Sequence, residues 1–157
     1  MDTLPEEREL EVLDRAECLR LLVTVPIGRV AFTQGALPAV QPVSFVLGNG
    51  EIFIPTHPGS KVAAASRGAV VAFEVDDVDA RRRTGWNVTV VGPSRLIVDP
   101  AEVRRLDDAG VRPWPPGNGH CYVGVAVQLV QGRRLRGSEG TPDARPVDEA
   151  APATLRI

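Results

Sequence analysis

Apolar and polar positions change period several times along this chain, and the changes mark out its elements. Asp14 opens the stretch DRAECLRLL, with Glu17 three residues on in the manner of a capping box and Leu19, Leu21 and Leu22 on one face. That pattern predicts a short helix ending before Pro26. Beyond residue 27 the period shortens to two. GRVAFTQ reads as a strand over 28–34, PAVQPVSFVLG as a second over 38–47, and EIFIPT as a third over 51–56. Gly35 bounds the first, and Asn49-Gly50, the strongest short hairpin signal, joins the second to the third. HPGSKVAAASRG predicts a short helix from Pro58 that Gly68 stops. AVVAFEVDD predicts a strand over 69–76. RRRTGWNVTVVGPSRLIVD predicts a long one over 85–98, bent at Gly92-Pro93. A helix follows from Pro100, and CYVGVAVQLVQGRRL supplies the last strand from 121 to about 131.

This order is helix, three strands, short helix, two strands, short helix, strand. It predicts a mainly β fold: six antiparallel strands in a small split β-barrel with short flanking helices. A parallel βαβ sheet is disfavoured, because the first three strands follow one another without crossover helices. Three regions are expected: a polar, acidic arm at 1–13, one domain over 14–136, and a tail at 137–157 carrying three prolines and few large apolar residues.

Composition narrows the function classes. The 157 residues suit one core, and 43% hydrophobic with 24% charged residues is ordinary for a globular domain. The net charge of −2 argues against a bulk nucleic-acid binder. No apolar run approaches the ~20 residues that span a bilayer, and MDTLPEEREL lacks the features of a secretory signal, so a cytoplasmic location is expected. Cys18 and Cys121 read as small apolar residues rather than a disulfide framework, and His57 and His120 are too few for a histidine-rich metal site. No HExxH, GxSxG, P-loop or GxGxxG pattern occurs. Arg81, Arg82 and Arg83 are offset by Asp76, Asp77 and Asp79 and read as a solvated turn. Seventeen of the 18 basic residues are arginine; Lys61 is the only lysine.

Lys61 falls in the most informative segment, Pro55-Thr56-His57-Pro58-Gly59-Ser60-Lys61. A strand ends at Thr56 where a helix is about to begin. Unpaired N–H groups at a helix start favour an anion, Gly59 permits close approach, Thr56 and Ser60 supply hydroxyls, and Lys61 supplies a full charge. The chemistry is that of a phosphate site. Serine and threonine at helix starts also serve as plain caps, and the spacing by itself leaves both readings open.

Six segments in succession resemble the flavin-binding split-barrel proteins related to pyridoxamine 5′-phosphate oxidase, in their short bacterial branch. They are GRVAF (28–32), PAVQPVSFV (38–46), THPGSK (56–61), VAFEVDD (71–77), GWNVTVVG (85–92) and VQGRRL (130–135). The resemblance spans about residues 10–136. It implies an FMN-binding homodimer with the cofactor at the subunit interface, acting as an oxidoreductase on a small molecule. It places the family's phosphate contacts on Thr56, Ser60 and Lys61. The strand beneath the flavin ring falls on Gln41, Pro42, Val43 and Ser44, largely through backbone, and a ring-contacting amide on Asn87 with Trp86 beside it. A deazaflavin coenzyme and haem are the alternative cofactors, and a deazaflavin-dependent reductase of the same family or a non-catalytic flavin- or haem-binding protein is the alternative function. The terminal motif that holds substrate in true pyridoxamine phosphate oxidases has a Trp and an Arg-Leu-His-Asp-Arg run. Residues 130–137 here read VQGRRLRG, without the Trp, His or Asp, so vitamin B6 oxidation is not expected.

Overall fold

The computed structural model describes residues 9–111 and 119–137. The 1–8 part of the expected arm, the 138–157 part of the expected tail and Trp114 lie outside the described residues. The elements run β1 (Glu9–Leu13), α1 (Arg15–Leu22), β2 (Ile27–Gln34), β3 (Leu37–Ser44), β4 (Val46–Gly48), β5 (Glu51–Thr56), α2 (Lys61–Ala65), β6 (Val70–Asp79), β7 (Thr84–Ile97), α3 (Pro100–Asp108), β8 (Cys121–Ala126) and β9 (Leu129–Arg136). The fold is mainly β and every strand pairing is antiparallel.

Among the described residues nine strands stand where six are expected, and contacts between residues far apart in sequence account for the difference. Glu9–Leu13 is a strand, not arm, because β9 supplies cations to its glutamates: Glu11 lies 3.4 Å from Arg134 and 2.9 Å from Arg136. Those partners are more than 120 residues away in sequence, so the segment reads as merely polar. The expected 38–47 strand breaks at Phe45, whose ring packs edge-on against Phe73 with centroids 4.7 Å apart. The expected last strand breaks at Val127-Gln128. There Val127 N–H donates to the Gly50 carbonyl, and Arg15 takes the Val127 and Gln128 carbonyls at 2.9 and 3.3 Å.

Two sheets share β7. Its first part pairs with β6 and β9 in the order β3-β2-β6-β7-β9-β1, and Ser94–Ile97 pairs with β8 in the order β7-β8-β5-β4. The crossing lies at Gly92-Pro93. A Cβ on Gly92 would stand 1.9 Å from the Ala126 carbonyl oxygen, so the two backbones approach as only glycine allows. Prolines mark where strands lack neighbours. Pro38 and Pro42 lie on β3, an edge strand, and Pro55 lies past the end of β4, which reaches only Phe53.

The main core lies between the sheets: Val30, Phe32, Phe73, Val75, Val88 and Val90 meet Ile52, Ile54, Val123 and Val125, with α1 adding Cys18, Leu21 and Leu22. Gly28 leaves room for the Phe73 ring, 2.2 Å from where its Cβ would be. A second cluster of Val46, Phe53, Ile97, Leu106 and Tyr122 lies under α3. Helix α1 begins as expected, with Asp14 accepting from Glu17 N–H at 2.8 Å. Both hairpin residues Asn49 and Gly50 have positive φ (49° and 72°), as a type I′ turn requires.

Two outcomes follow. Gly92→Ala is expected to cost at least ~2 kcal/mol, from overpacking against backbone that has nowhere to move, and urea denaturation measures it. Glu17 joins α1 to β9 through Arg134 (2.6 Å) and also pairs with Arg20 (2.7 Å). Hydrogen bonds from Arg20 and then Arg134 hold its carboxyl down to about 2, from an ordinary value of 4.5. A depressed acid contributes stability above its unfolded value and loses it as pH falls through the folded one. Glu17→Gln should therefore be less stable than the parent at pH 7, with the difference shrinking below pH 4.5 and gone near pH 2.

Candidate functional site

Thr56 ends β5 beside Cys121 and is 7% exposed. The chain then turns through Pro58 and Gly59, closed by a 2.9 Å bond from Ser60 N–H to the His57 carbonyl. Ser60 is the N-cap of α2, and its Oγ accepts from Ala63 N–H at 3.0 Å. The same Oγ lies 2.7 Å from Thr56 Oγ1. Val62 and Ala63 are buried and anchor this first turn in the core. The helix is shorter than expected: Pro58 and Gly59 precede it as a turn, and only Lys61–Ala65 is helical. Five residues align few peptide dipoles, so the positive charge at this corner comes from Lys61 rather than from the helix. Lys61 is exposed and forms no ion pair among the described residues.

Donor accounting shows what this corner can bind. The Ala63 amide occupies one lone pair of Ser60. The Thr56 and Ser60 hydroxyls carry two protons, and their mutual bond uses one. One hydroxyl proton and the Lys61 ammonium are therefore left without a partner among the described residues, with no carboxylate among the three residues. That donor set fits a phosphate.

The opposite side of the β5 end is braced rather than reactive. His57 Nδ1 donates to the Gly119 carbonyl at 2.7 Å. Asp107 on α3 accepts from Tyr122 OH at 2.8 Å and pairs with His120 Nε2. Burial raises the Asp107 carboxyl, but the bonds from His120 and Tyr122 outweigh it and hold it below the usual range. Burial, then Asp107, pushes the Tyr122 phenol far up. Burial also raises both thiols, with Asp14 and Glu17 adding to it at Cys18, so neither is a ready thiolate. Among the described residues no three His, Cys, Asp or Glu side chains gather as a metal site, and no helix is long and apolar enough to cross a membrane. The Arg81–Arg83 segment is a turn, with Asp79 accepting from the Arg81 and Arg82 amides at 3.0 and 3.1 Å.

The remaining sequence-derived residues do not all join this corner. Gln41, Pro42, Val43 and Ser44 lie on β3, whose second edge has no strand partner among the described residues and offers backbone groups to a ligand. Asn87 and Trp86 lie ten or more residues before Ile97 on β7, across the bend, whereas Thr56 sits one register step past the Ile97–Tyr122 pair. Within one chain Asn87 is thus remote from Thr56. Asn87 is exposed on the outer face of the large sheet. Trp86 points the other way and packs against the core. Glu74 and Asp76 alternate on one face of β6, and Arg29 bridges them from β2. The period-two pattern of GRVAF placed Arg29 outward, but nothing in the sequence set β2 beside β6.

A β-barrel split into two sheets that share one bent strand, with a hydroxyl-lysine corner at one strand end, defines the class. The family model for pyridoxamine 5′-phosphate oxidase matches residues 14–134, and the chain belongs to that family. An uncharacterized Mycobacterium tuberculosis protein, Rv0080, is 40% identical over 140 residues, which is 86% of this chain and 91% of that protein. Among solved structures, an FAD binding protein from Mycobacterium smegmatis is similar with a TM-score of 0.69 and 32% identity, covering 80% of this chain and 98% of its own. An FAD and heme binding protein from the same organism shares the fold at 22% identity and a TM-score of 0.61, covering 89% of this chain and 77% of its own.

Ser60→Ala removes the α2 cap and the partner of Thr56. A loss of ~1 kcal/mol in denaturant unfolding is expected, the usual cost of an N-cap serine.

Proposed function

We propose that this protein is a homodimeric oxidoreductase that binds FMN and acts on a small molecule other than a B6 vitamer. The observation that carries this reading is the Thr56–Ser60 hydroxyl pair, 2.7 Å apart, next to a lysine without an ion pair among the described residues. A flavin's terminal phosphate is the anion these donors suit: an FMN phosphate carries up to two charges and needs a full cation as well as hydroxyl donors. The FAD binding protein from Mycobacterium smegmatis, similar over most of its length, supports a flavin. It also makes FAD the second reading, since the same hydroxyls could hold a pyrophosphate.

Flavin chemistry, when the cofactor is bound, is hydride or electron transfer. The chain's own task is then to hold and orient. Thr56, Ser60 and Lys61 fix the phosphate. The outer edge of β3, at Gln41–Ser44, presents backbone to the ring, and Asn87 offers an amide to it. Trp86 supports Asn87 from beneath by packing on the core.

A second copy accounts for the distance between Asn87 and Thr56. The outer face of the large sheet carries an apolar row, Val40-Ala31-Ala72-Val91-Leu129, running across five strands, and a second row of Val78, Gly85, Leu135 and Leu10. Val40, Leu129, Val78 and Leu10 are each more than half exposed. Between the rows stand Arg29, Arg133, Glu74 and Asp76, two charges of each sign, so the face is balanced for meeting itself. Closing two copies on this face would bring Asn87 of one chain toward the phosphate corner of the other.

The test is the absorption spectrum of the purified protein and an FMN titration followed by fluorescence. A flavin spectrum and a saturable titration are expected. Lys61→Ala should weaken FMN by ~1.5–3 kcal/mol, about ten- to a hundredfold, the loss of one charged hydrogen bond. Unchanged affinity in that variant would overturn the phosphate assignment.

A further inference from the structure

The outer face of the large sheet holds one acidic pair. Glu74 and Asp76 are alternate residues of β6, and both carboxylates reach the same guanidinium nitrogen, Arg29 Nη1, at 3.5 and 3.3 Å. The groups facing them from neighbouring strands are few. β2 presents Arg29, β3 presents Pro42 beside it, and β7 presents Thr89 and Asn87, which carry no charge. β9 presents Gln131 and Arg133, the latter opposite Asn87 and two strands from Asp76, ~10 Å at the usual strand spacing. One guanidinium therefore serves two carboxylates, and the trio carries one excess negative charge. The apolar rows on either side make this the middle of the face that a second copy would cover.

We propose that the Glu74–Asp76 pair takes up a proton when two copies close over this face, so that the dimer tightens as pH falls. The inference rests on the homodimer reading above. Its physics is desolvation. In the open face, water screens the excess charge. Under a second copy that screening is lost, and a single proton shared by the pair makes the trio with Arg29 neutral. The pair is already inclined this way in one chain. Burial, then the hydrogen bond and charge of Asp76, raise the Glu74 carboxyl above its ordinary value, and Arg29 only partly opposes them. If the closed dimer binds more protons than two separate chains, linkage requires association to strengthen as protons become available. The proton is shared by the pair, so removing either carboxylate should remove the effect.

Sedimentation of the full chain with saturating FMN, at pH 5.5, 6.5 and 8.0, measures this. The dimer dissociation constant is expected to rise at least tenfold from pH 5.5 to 8.0. Glu74→Gln, which keeps the hydrogen bond without the charge, should dimerise at pH 8.0 as tightly as the parent does at pH 5.5, and independently of pH. Asp76→Asn makes the same test should the first variant not fold. A parent that is monomeric at every pH overturns the homodimer reading and this inference with it. A dimer whose dissociation constant is flat or falls with rising pH overturns this inference alone. So does a Glu74→Gln variant that keeps the full pH dependence, since the proton would then be taken up elsewhere.

Discussion

β7 belongs to two sheets, and the close passage of its backbone past Ala126 is the contact on which the rest depends. Gly92 permits that passage and Pro93 ends the pairing with β6. Beyond the bend, Ser94–Ile97 recruits β8, and β8 carries β5 with it. Through β5 the crossing sets the position of Thr56, and through Thr56 that of α2. The polar bonds at the bend are satisfied locally: Ser94 N–H and hydroxyl both donate to the Ala69 carbonyl, and Gly68 N–H donates back to the Ser94 carbonyl. The segment leaving α2 is thereby tied to the strand that bends, and the Thr56–Lys61 corner is held from both of its ends.

Much of this was legible from sequence because its signals are local. Alternation found β2, β5 and β6, the Asn-Gly pair found one hairpin, Asp14 found the start of α1 and Pro100 that of α3. Gly92-Pro93 announced the bend. What stayed hidden was set at a distance. β1 exists because Arg134 and Arg136, at the far end of the chain, meet Glu11. The break between β8 and β9 exists because Arg15 claims the two carbonyls there. Neither residue carries a mark of its partner.

The candidate site divides along the same line. Thr56, Ser60 and Lys61 lie within six residues, so their meeting needed only a strand end and a tight turn. The helix between them was overestimated, because Pro58 is as much at home in a turn as at a helix start. Trp86 and Asn87 show the opposite limit. Adjacency in sequence on a strand means opposition in space, and the pair splits between core and surface.

Lys61 also looks different once the corner is built. In composition it is one lysine among seventeen arginines, and a guanidinium could have carried the same charge. The corner, however, already supplies directional donors in Thr56 and Ser60, fixed by the cap and the mutual bond. What it lacks is charge without a geometric demand of its own. For the flavin phosphate proposed above, an ammonium on a flexible stem would meet that need as a point charge, whereas a planar fork would compete with the hydroxyls for the same oxygens. The division of labour, hydroxyls for direction and lysine for charge, follows from a five-residue helix too short to contribute a field.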